Sequence, residues 1–303
     1  MPSPPPAEPP LVERAPAKLN LDLLLTGRRP NGYHELDSVV VFAELGDRLT
    51  LRPHSELLVE CTGPFGADLP AGDGNIVRRA ALRLAGAVGA APRVAITLDT
   101  RLPVASGIGG GSADAAATLR GLARLWGIAP DAPVLTGTAL ALGSDVLACL
   151  HSRSARMRGI GEQIEFLPPT PPLDLVLLNP GLPLGTPEVF ALVRPEQFAT
   201  RPGPVPERLD AGWLATSRND LEAPARRLLP AIGAVLAALE STPGCRLARM
   251  SGSGPTCFGL FDGAAAARAA AATLAAAHPG WWSAATRAGA ESAMDIAPAR
   301  HRA

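Results

Sequence analysis

Leu102-Pro103-Val104-Ala105-Ser106-Gly107-Ile108-Gly109-Gly110-Gly111-Ser112-Ala113-Asp114-Ala115-Ala116 is the stretch on which the fold turns. Ahead of it, residues 94–98 (Val-Ala-Ile-Thr-Leu) alternate as a strand does. Behind it, residues 115–126 put Leu119, Leu122 and Trp126 on one helical face. The loop between them has four glycines in the five positions 107–111, which frees the backbone and lets a bulky ligand approach its amides. Ser112 is placed to cap the helix, and the N–H groups of a first turn have no partner within it. A glycine-rich loop opening onto a helix N-terminus is an anion cradle, with phosphate the first candidate. The plainer alternative is a flexible turn between strand and helix. No Gly-Lys-Ser/Thr follows the glycines, so this is not a P-loop. Nor is it the dinucleotide turn, which needs Gly-x-Gly-x-x-Gly and a downstream acid.

Composition bounds what such a loop can serve. A chain of 303 residues, 47% apolar, has ample core for one large domain or two ordinary ones. Lys+Arg and Asp+Glu are balanced at 28 each, so overall charge points to neither nucleic acid nor a membrane surface. Any anion must be held by local geometry. Cys61, Cys149, Cys245 and Cys257 form no Cys-x-x-Cys pair and read as buried free thiols in a reducing, cytoplasmic setting. No metal-ligating cluster is visible. The apolar stretch 134–150 is broken by Gly137, Gly143 and Asp145, so no membrane span is expected. Residues 1–10 are proline-rich without an apolar centre, and residues 1–14 read as a disordered tail. Monomer and homodimer both stay open.

Along the chain, residues 15–25 alternate, with Ala17, Leu19, Leu21 and Leu23 on one face and Lys18, Asn20 and Asp22 on the other. That polar face is either solvated or functional. Pro30-Asn31-Gly32 is a turn, and Tyr33-His34 leaves it together. Such a pair either packs or frames an aromatic ligand. Strands are expected at 39–45, 48–52 and 56–61, and a helix at 75–88. A further helix starts at Asp131 and ends near Gly143. Gly143-Ser144-Asp145-Val146 sets an acid in an apolar segment, as a helix cap or as a general base beside a cation. Residues 158–162 (Arg-Gly-Ile-Gly-Glu) read as a tight bend, and 168–172 as a linker. Beyond it come a strand at 173–179, a helix capped by Thr186 with Pro187 at its first position, and a loop at 195–206. Helical segments reach residue 239, strands follow at 245–250 and 256–261, then a helix at 264–278 and a strand at 283–287. That order suits antiparallel strands covered by helices.

Three separated motifs carry a resemblance. Pro16-Ala17-Lys18-Leu19-Asn20-Leu21, the stretch from Pro103 to Ala116, and Ser251-Gly252-Ser253-Gly254-Pro255-Thr256 resemble, in order, the three motifs of the GHMP kinases. Gly32-Tyr33-His34-Glu35-Leu36 is similar to the branch of that superfamily that phosphorylates a cytidine diphosphate derivative of methylerythritol with ATP. The similarity runs from about Ala15 to Arg287. It implies an α+β fold of two lobes: a ribosomal-S5-like, ATP-binding N-terminal lobe (15–165) and a ferredoxin-like C-terminal lobe (166–303), with the ligand cleft between them. It implies Lys18 and Asp145 as the catalytic pair, with Asn20 beside them on the substrate side. Tyr33 and Phe190 would sandwich the cytosine ring, and His34 would read its edge. Pro103, Ser106, Gly107, Gly109, Gly110, Gly111 and Ser112 would hold the ATP phosphates, with Mg²⁺ bridging them. Three departures stand out: Leu147 where proline is common, Ala113 where a second hydroxyl is usual, and Arg156-Met157-Arg158 where small or acidic residues are usual.

Overall fold

A computed structural model describes residues 9–169, 171–199 and 208–289 of the chain. The first part holds β1 (Leu11–Asn20), β2 (Leu24–Arg28), β3 (His34–Pro53), β4 (Leu58–Thr62), α1 (Ile76–Val88) and β5 (Val94–Asp99). It continues with α2 (Gly110–Trp126), α3 (Pro133–Leu142), α4 (Ser144–His151), β6 (Ala155–Gly159) and β7 (Gln163–Phe166). The second part holds β8 (Leu173–Asn179), α5 (Thr186–Ala191), α6 (Ala211–Thr216), α7 (Glu222–Leu228) and α8 (Ala231–Ser241). β9 (Cys245–Met250), β10 (Cys257–Phe261), α9 (Ala264–Ala277) and β11 (Trp282–Ala288) complete it.

β3 is the spine of the first sheet. It pairs antiparallel with β1, β2, β5 and β6, and β4 joins β5 in parallel. Residues 39–45 and 48–52, expected as separate strands, are one run of 20 residues. Gly46 allows it to run on past β1, because a Cβ there would lie 2.3 Å from the Ala15 carbonyl oxygen. Opposite Gly46 stands Pro16, which has no N–H for the ladder, and the register shifts between Pro16 and Lys18. In the second part the spatial order β11-β8-β10-β9, antiparallel throughout, is the 4-1-3-2 order of a ferredoxin-like layer.

The period-2 alternation of the strands sorts the apolar side chains into three cores. Val40 and Phe42 of β3 face α1, α2 and α4, while Val39, Val41 and Ala43 face the other way. In β8, Val176 and Leu178 face α7, α8 and α9, while Leu173, Leu175 and Leu177 meet Leu19, Leu21, Val39 and Val41. The third core therefore lies between the two sheets. The sheets also touch at their edges, through the Ala43–Ala288 pair and a 3.2 Å bond from Gly289 N–H to the Phe42 carbonyl.

Several expectations need correction. β1 begins at Leu11, inside the tail expected at 1–14, because Glu13 is buried against Arg120 and Arg124 at 3.2 and 2.8 Å. Residues 1–8 lie outside the described residues, as does the 200–206 part of the expected loop at 195–206. The strand read over 15–25 is broken after Asn20, and β2 starts at Leu24. Helix α2 starts at Gly110, not Ala115, and its cap is Gly109 at φ 70° rather than Ser112. Thr186 is the first residue of α5, and Gly185 precedes it as the cap. All four cysteines are free, but only Cys149 and Cys257 are buried; Cys61 and Cys245 are half-buried. Among the described residues no helix is long and apolar enough to cross a membrane.

Candidate active site

The three motifs, far apart in sequence, meet in one cleft of about 1060 Å³. Lys18 N–H, released from the ladder beside Pro16, donates to the Ile108 carbonyl at 2.9 Å and ties the glycine loop to β1. The loop between β9 and β10 closes on it from the other side. Thr256 N–H donates to the Ser106 carbonyl at 3.1 Å, and Ser251 Oγ donates to the Gly107 carbonyl at 3.3 Å. At Gly107 and Gly109 only glycine fits. Their φ values are +75° and +70°, and a Cβ on Gly107 would lie 2.5 Å from the Gly254 oxygen. A Cβ on Gly109 would lie 3.0 Å from that of Lys18. The loop thus opens directly onto the first turn of α2, where Gly110 and Gly111 line the cleft and the first N–H groups have no partner within the helix. Pro103, Ser106, Gly107, Gly109, Gly110 and Gly111 line it; Ser112 is half-buried and is not among the lining residues.

Lys18 and Asp145 face each other across this cleft. Lys18 is buried, and its Nζ lies 3.2 Å from Asp145 Oδ2 and donates to Asn20 Oδ1 at 3.0 Å. Asn20 Nδ2 donates to Ser38 Oγ at 2.8 Å, which donates to the Asp22 carbonyl at 2.6 Å. The polar face of β1 is therefore an internal network, not a solvated surface. Asp145 sits in the first turn of α4 without capping it, and its side chain keeps 43% of its exposure. An accessible carboxylate held beside a buried ammonium can take up a proton from a bound ligand while the ammonium stabilises negative charge.

The β2–β3 turn supplies the third wall. His34 and Phe190 are brought together, with ring centroids 5.2 Å apart and tilted by 32°. Tyr33 is 61% exposed at the rim. All three line the same cleft, with Asn20, Lys18 and Asp145. Burial, then the Arg28 charge, holds His34 below its ordinary value, so the ring is neutral and offers one donor and one acceptor.

Sequence reading missed an acid pair in the wall. Asp47 of β3 accepts from Arg101 N–H at 2.6 Å and Leu102 N–H at 2.9 Å, which fixes the entry to the glycine loop. Burial raises it to about 6 against those bonds. Burial, then the neighbouring Asp47 charge, raises Asp114 of α2 well above the carboxylate range. The available signal was Asp114 within an otherwise small and apolar helical face. Ser38, Thr186 and Asn219 were also missed as site residues. Thr186 Oγ1 bonds to Ser253 Oγ at 2.7 Å, and Asn219 Nδ2 holds the Met250 and Gly252 carbonyls at 2.8 Å each.

Residues 75–153 match the GHMP kinases N terminal domain, and residues 207–279 match the GHMP kinases C terminal domain. The 4-diphosphocytidyl-2-C-methyl-D-erythritol kinase of Parvibaculum lavamentivorans is 52% identical over 286 residues, 92% of this chain and 99% of that one. The protein of that name from Paramagnetospirillum magneticum is 53% identical over 273 residues, 89% and 95% of the two chains. The chain belongs to the 4-diphosphocytidyl-2-C-methyl-D-erythritol kinase family. A crystal structure of a 4-(cytidine 5'-diphospho)-2C-methyl-D-erythritol kinase superposes with TM-score 0.75 at 37% identity, over 92% of this chain and 99% of that one. Homoserine kinase from Cytophaga hutchinsonii, at 18% identity and TM-score 0.64 over 92% and 95%, shares the fold. Within this kinase family the chain's departures fall behind the site. Ala113 and Leu147 are buried in the first core. Arg156 is buried and bidentate to Asp37 at 2.6 and 2.5 Å, and Arg158 pairs with Glu165 at 3.4 Å on the surface.

Proposed function

We infer that this chain phosphorylates the 2-hydroxyl of 4-diphosphocytidyl-2-C-methyl-D-erythritol with ATP, a step of isopentenyl diphosphate synthesis by the non-mevalonate route. The observation that carries the reading is the position of the Lys18–Asp145 pair, 3.2 Å apart, between a glycine loop and the His34–Phe190 ring pair in one cleft. Phosphoryl transfer asks a protein mainly for positioning and charge stabilisation. The loop amides from Gly107 to Ser112 hold the nucleotide phosphates, and Lys18 stabilises charge on the transferring group. Asp145 accepts the proton of the attacking hydroxyl. Tyr33 and Phe190 flank the cytosine ring, and neutral His34 reads its edge.

Mg²⁺ would accompany the nucleotide at the glycine loop and would supply neutralisation of the charge on its phosphates. Among the described residues no group of three or more His, Cys, Asp or Glu could hold a metal. The lobe boundary at 165/166 and a cytoplasmic location belong to the same reading, supported by the linker before β8 and the free thiols. The test is ADP release with ATP and the cytidyl substrate, set against mevalonate and homoserine. Turnover confined to the cytidyl compound is expected; equal use of either competitor overturns the reading.

A further inference from the structure

The bend Gly159-Ile160-Gly161-Glu162 has no part in the chemistry above, yet it joins the two ends of the substrate side. Strand β6 pairs with β3 only as far as Gly159 opposite Leu36. Tyr33 and His34 therefore project beyond the end of β6, on a turn held by local bonds such as Arg29 N–H to the Tyr33 carbonyl at 2.7 Å. Arg29 spans the gap. Its Nε lies 3.0 Å from Glu35 Oε1, and its Nη2 lies 2.7 Å from Glu162 Oε1. The other oxygen of Glu162 accepts from Ile160 N–H at 2.5 Å, so the carboxylate is folded back over its own bend. Only glycine at 159 permits this: at φ +70° a Cβ would lie 2.4 Å from Glu162 Oε2. Ile160 lines the cleft. Gly161 rests on Ser144, where an added Cβ would be 3.3 Å from the Ser144 Cβ, and Ser144 precedes Asp145.

We propose that Arg29 and Glu162 are positioning residues that clamp the Tyr33–His34 turn to the segment carrying Asp145, and so set the span between the base-recognising rings and the phosphate-accepting hydroxyl. The inference rests on the functional reading above. Neither residue touches the reacting atoms. A planar guanidinium can grip two carboxylates at once, which a lysine ammonium does poorly. The nucleotide side of the cleft is built on α2 and the β9–β10 loop and is independent of the clamp. Loosening the clamp therefore weakens the cytidyl substrate and spares ATP.

Glu162→Gln keeps the shape and the acceptor for Ile160 N–H while removing the charge. The expected result is a KM for the cytidyl substrate raised about three- to tenfold, the usual net weight of a single hydrogen bond. The KM for ATP should stay within about twofold. Arg29→Gln should do at least as much, because it also releases Glu35, and the double variant should be no worse than Arg29→Gln alone, because the Arg29–Glu162 pair is already gone. Equal rises for both substrates, multiplied effects in the double variant, or no change overturn the clamp. Hydrogen exchange of the ligand-free full chain tests it without any turnover: amides in 28–36 and 158–163 should exchange faster in Glu162→Gln, with those of β8 and β10 unchanged. Unaltered exchange in both segments overturns the clamp by itself. Absent turnover of the native protein on the cytidyl compound, with clamp-dependent exchange intact, would instead overturn the functional reading.

Discussion

Replacing Asp145 by Asn separates a catalytic from a structural role, because the two predict losses of very different size. Asp145 keeps 43% of its side-chain exposure, so its pairing with Lys18 is screened by water and contributes about 1 kcal/mol or less to folding. In a chain of this size that is about 2 °C in Tm. The asparagine oxygen still offers Lys18 a partner, and Asn20 Oδ1 at 3.0 Å stays in place. The ammonium is therefore not stranded. Turnover is a different matter. An amide cannot take the proton of the attacking hydroxyl, and losing a general base costs about 10²- to 10⁴-fold, or about 2.7–5.5 kcal/mol of barrier. Coupled ADP-release kinetics with both substrates varied, alongside thermal unfolding, gives both numbers. The expected outcome is kcat down at least about 100-fold with Tm nearly unchanged. Near-native turnover, or a rate loss matched by a collapse of Tm, would show that Asp145 serves the fold and would sink the mechanism.

Phe190→Ala removes the ring beside His34, and should raise the KM for the cytidyl substrate about tenfold while that for ATP stays native; steady-state kinetics decides it, and an unchanged cytidyl KM refutes the stacking role. Gly109→Ala forces a Cβ against Lys18 at φ +70°, and should cost about 1–2 kcal/mol of stability and a larger share of kcat. Native values of both in unfolding and rate assays would contradict the close approach. Asp22, lifted by burial from 3.8 to about 7, holds a proton in the folded chain that the unfolded chain gives up between those values. Its contribution to stability therefore falls as pH rises through that window, by about 2 kcal/mol from pH 5 to 7. Denaturant titrations should show a flatter pH profile for Asp22→Asn, and equal slopes would refute the buried titration.

Much of this was legible because periodicity reports which face a residue takes. The alternation in 15–25 put Lys18, Asn20 and Asp22 together, and the three GHMP motifs named the cleft residues. What failed was local bias. Glycine disfavours helix, so α2 was read from Ala115; in the folded chain Gly110 and Gly111 form its first turn because Gly109 can take a positive φ. Ser112, a good cap by type, sits inside the first turn as the third residue of the helix. Pairings across long sequence distances left no trace: Asp47 with Asp114, Arg29 with Glu162, Arg156 with Asp37. Apart from Asp114, which stands in an apolar helical face, each of these residues has a sequence context that looks like ordinary surface charge.

The core shared by the two sheets also bears on how the molecule breathes. Leu19, Leu21, Val39 and Val41 are buried against Leu175 and Leu177, and the sheet edges are stitched at Ala43 and Ala288. Two halves welded along an apolar seam are expected to melt together, as a single transition in calorimetry. They have little freedom to open and shut like a clamshell, because any hinge would expose that seam to water. The cleft walls outside that seam are the turn that carries Tyr33 and the segment around α5, so any adjustment of the cleft to what it holds falls to them.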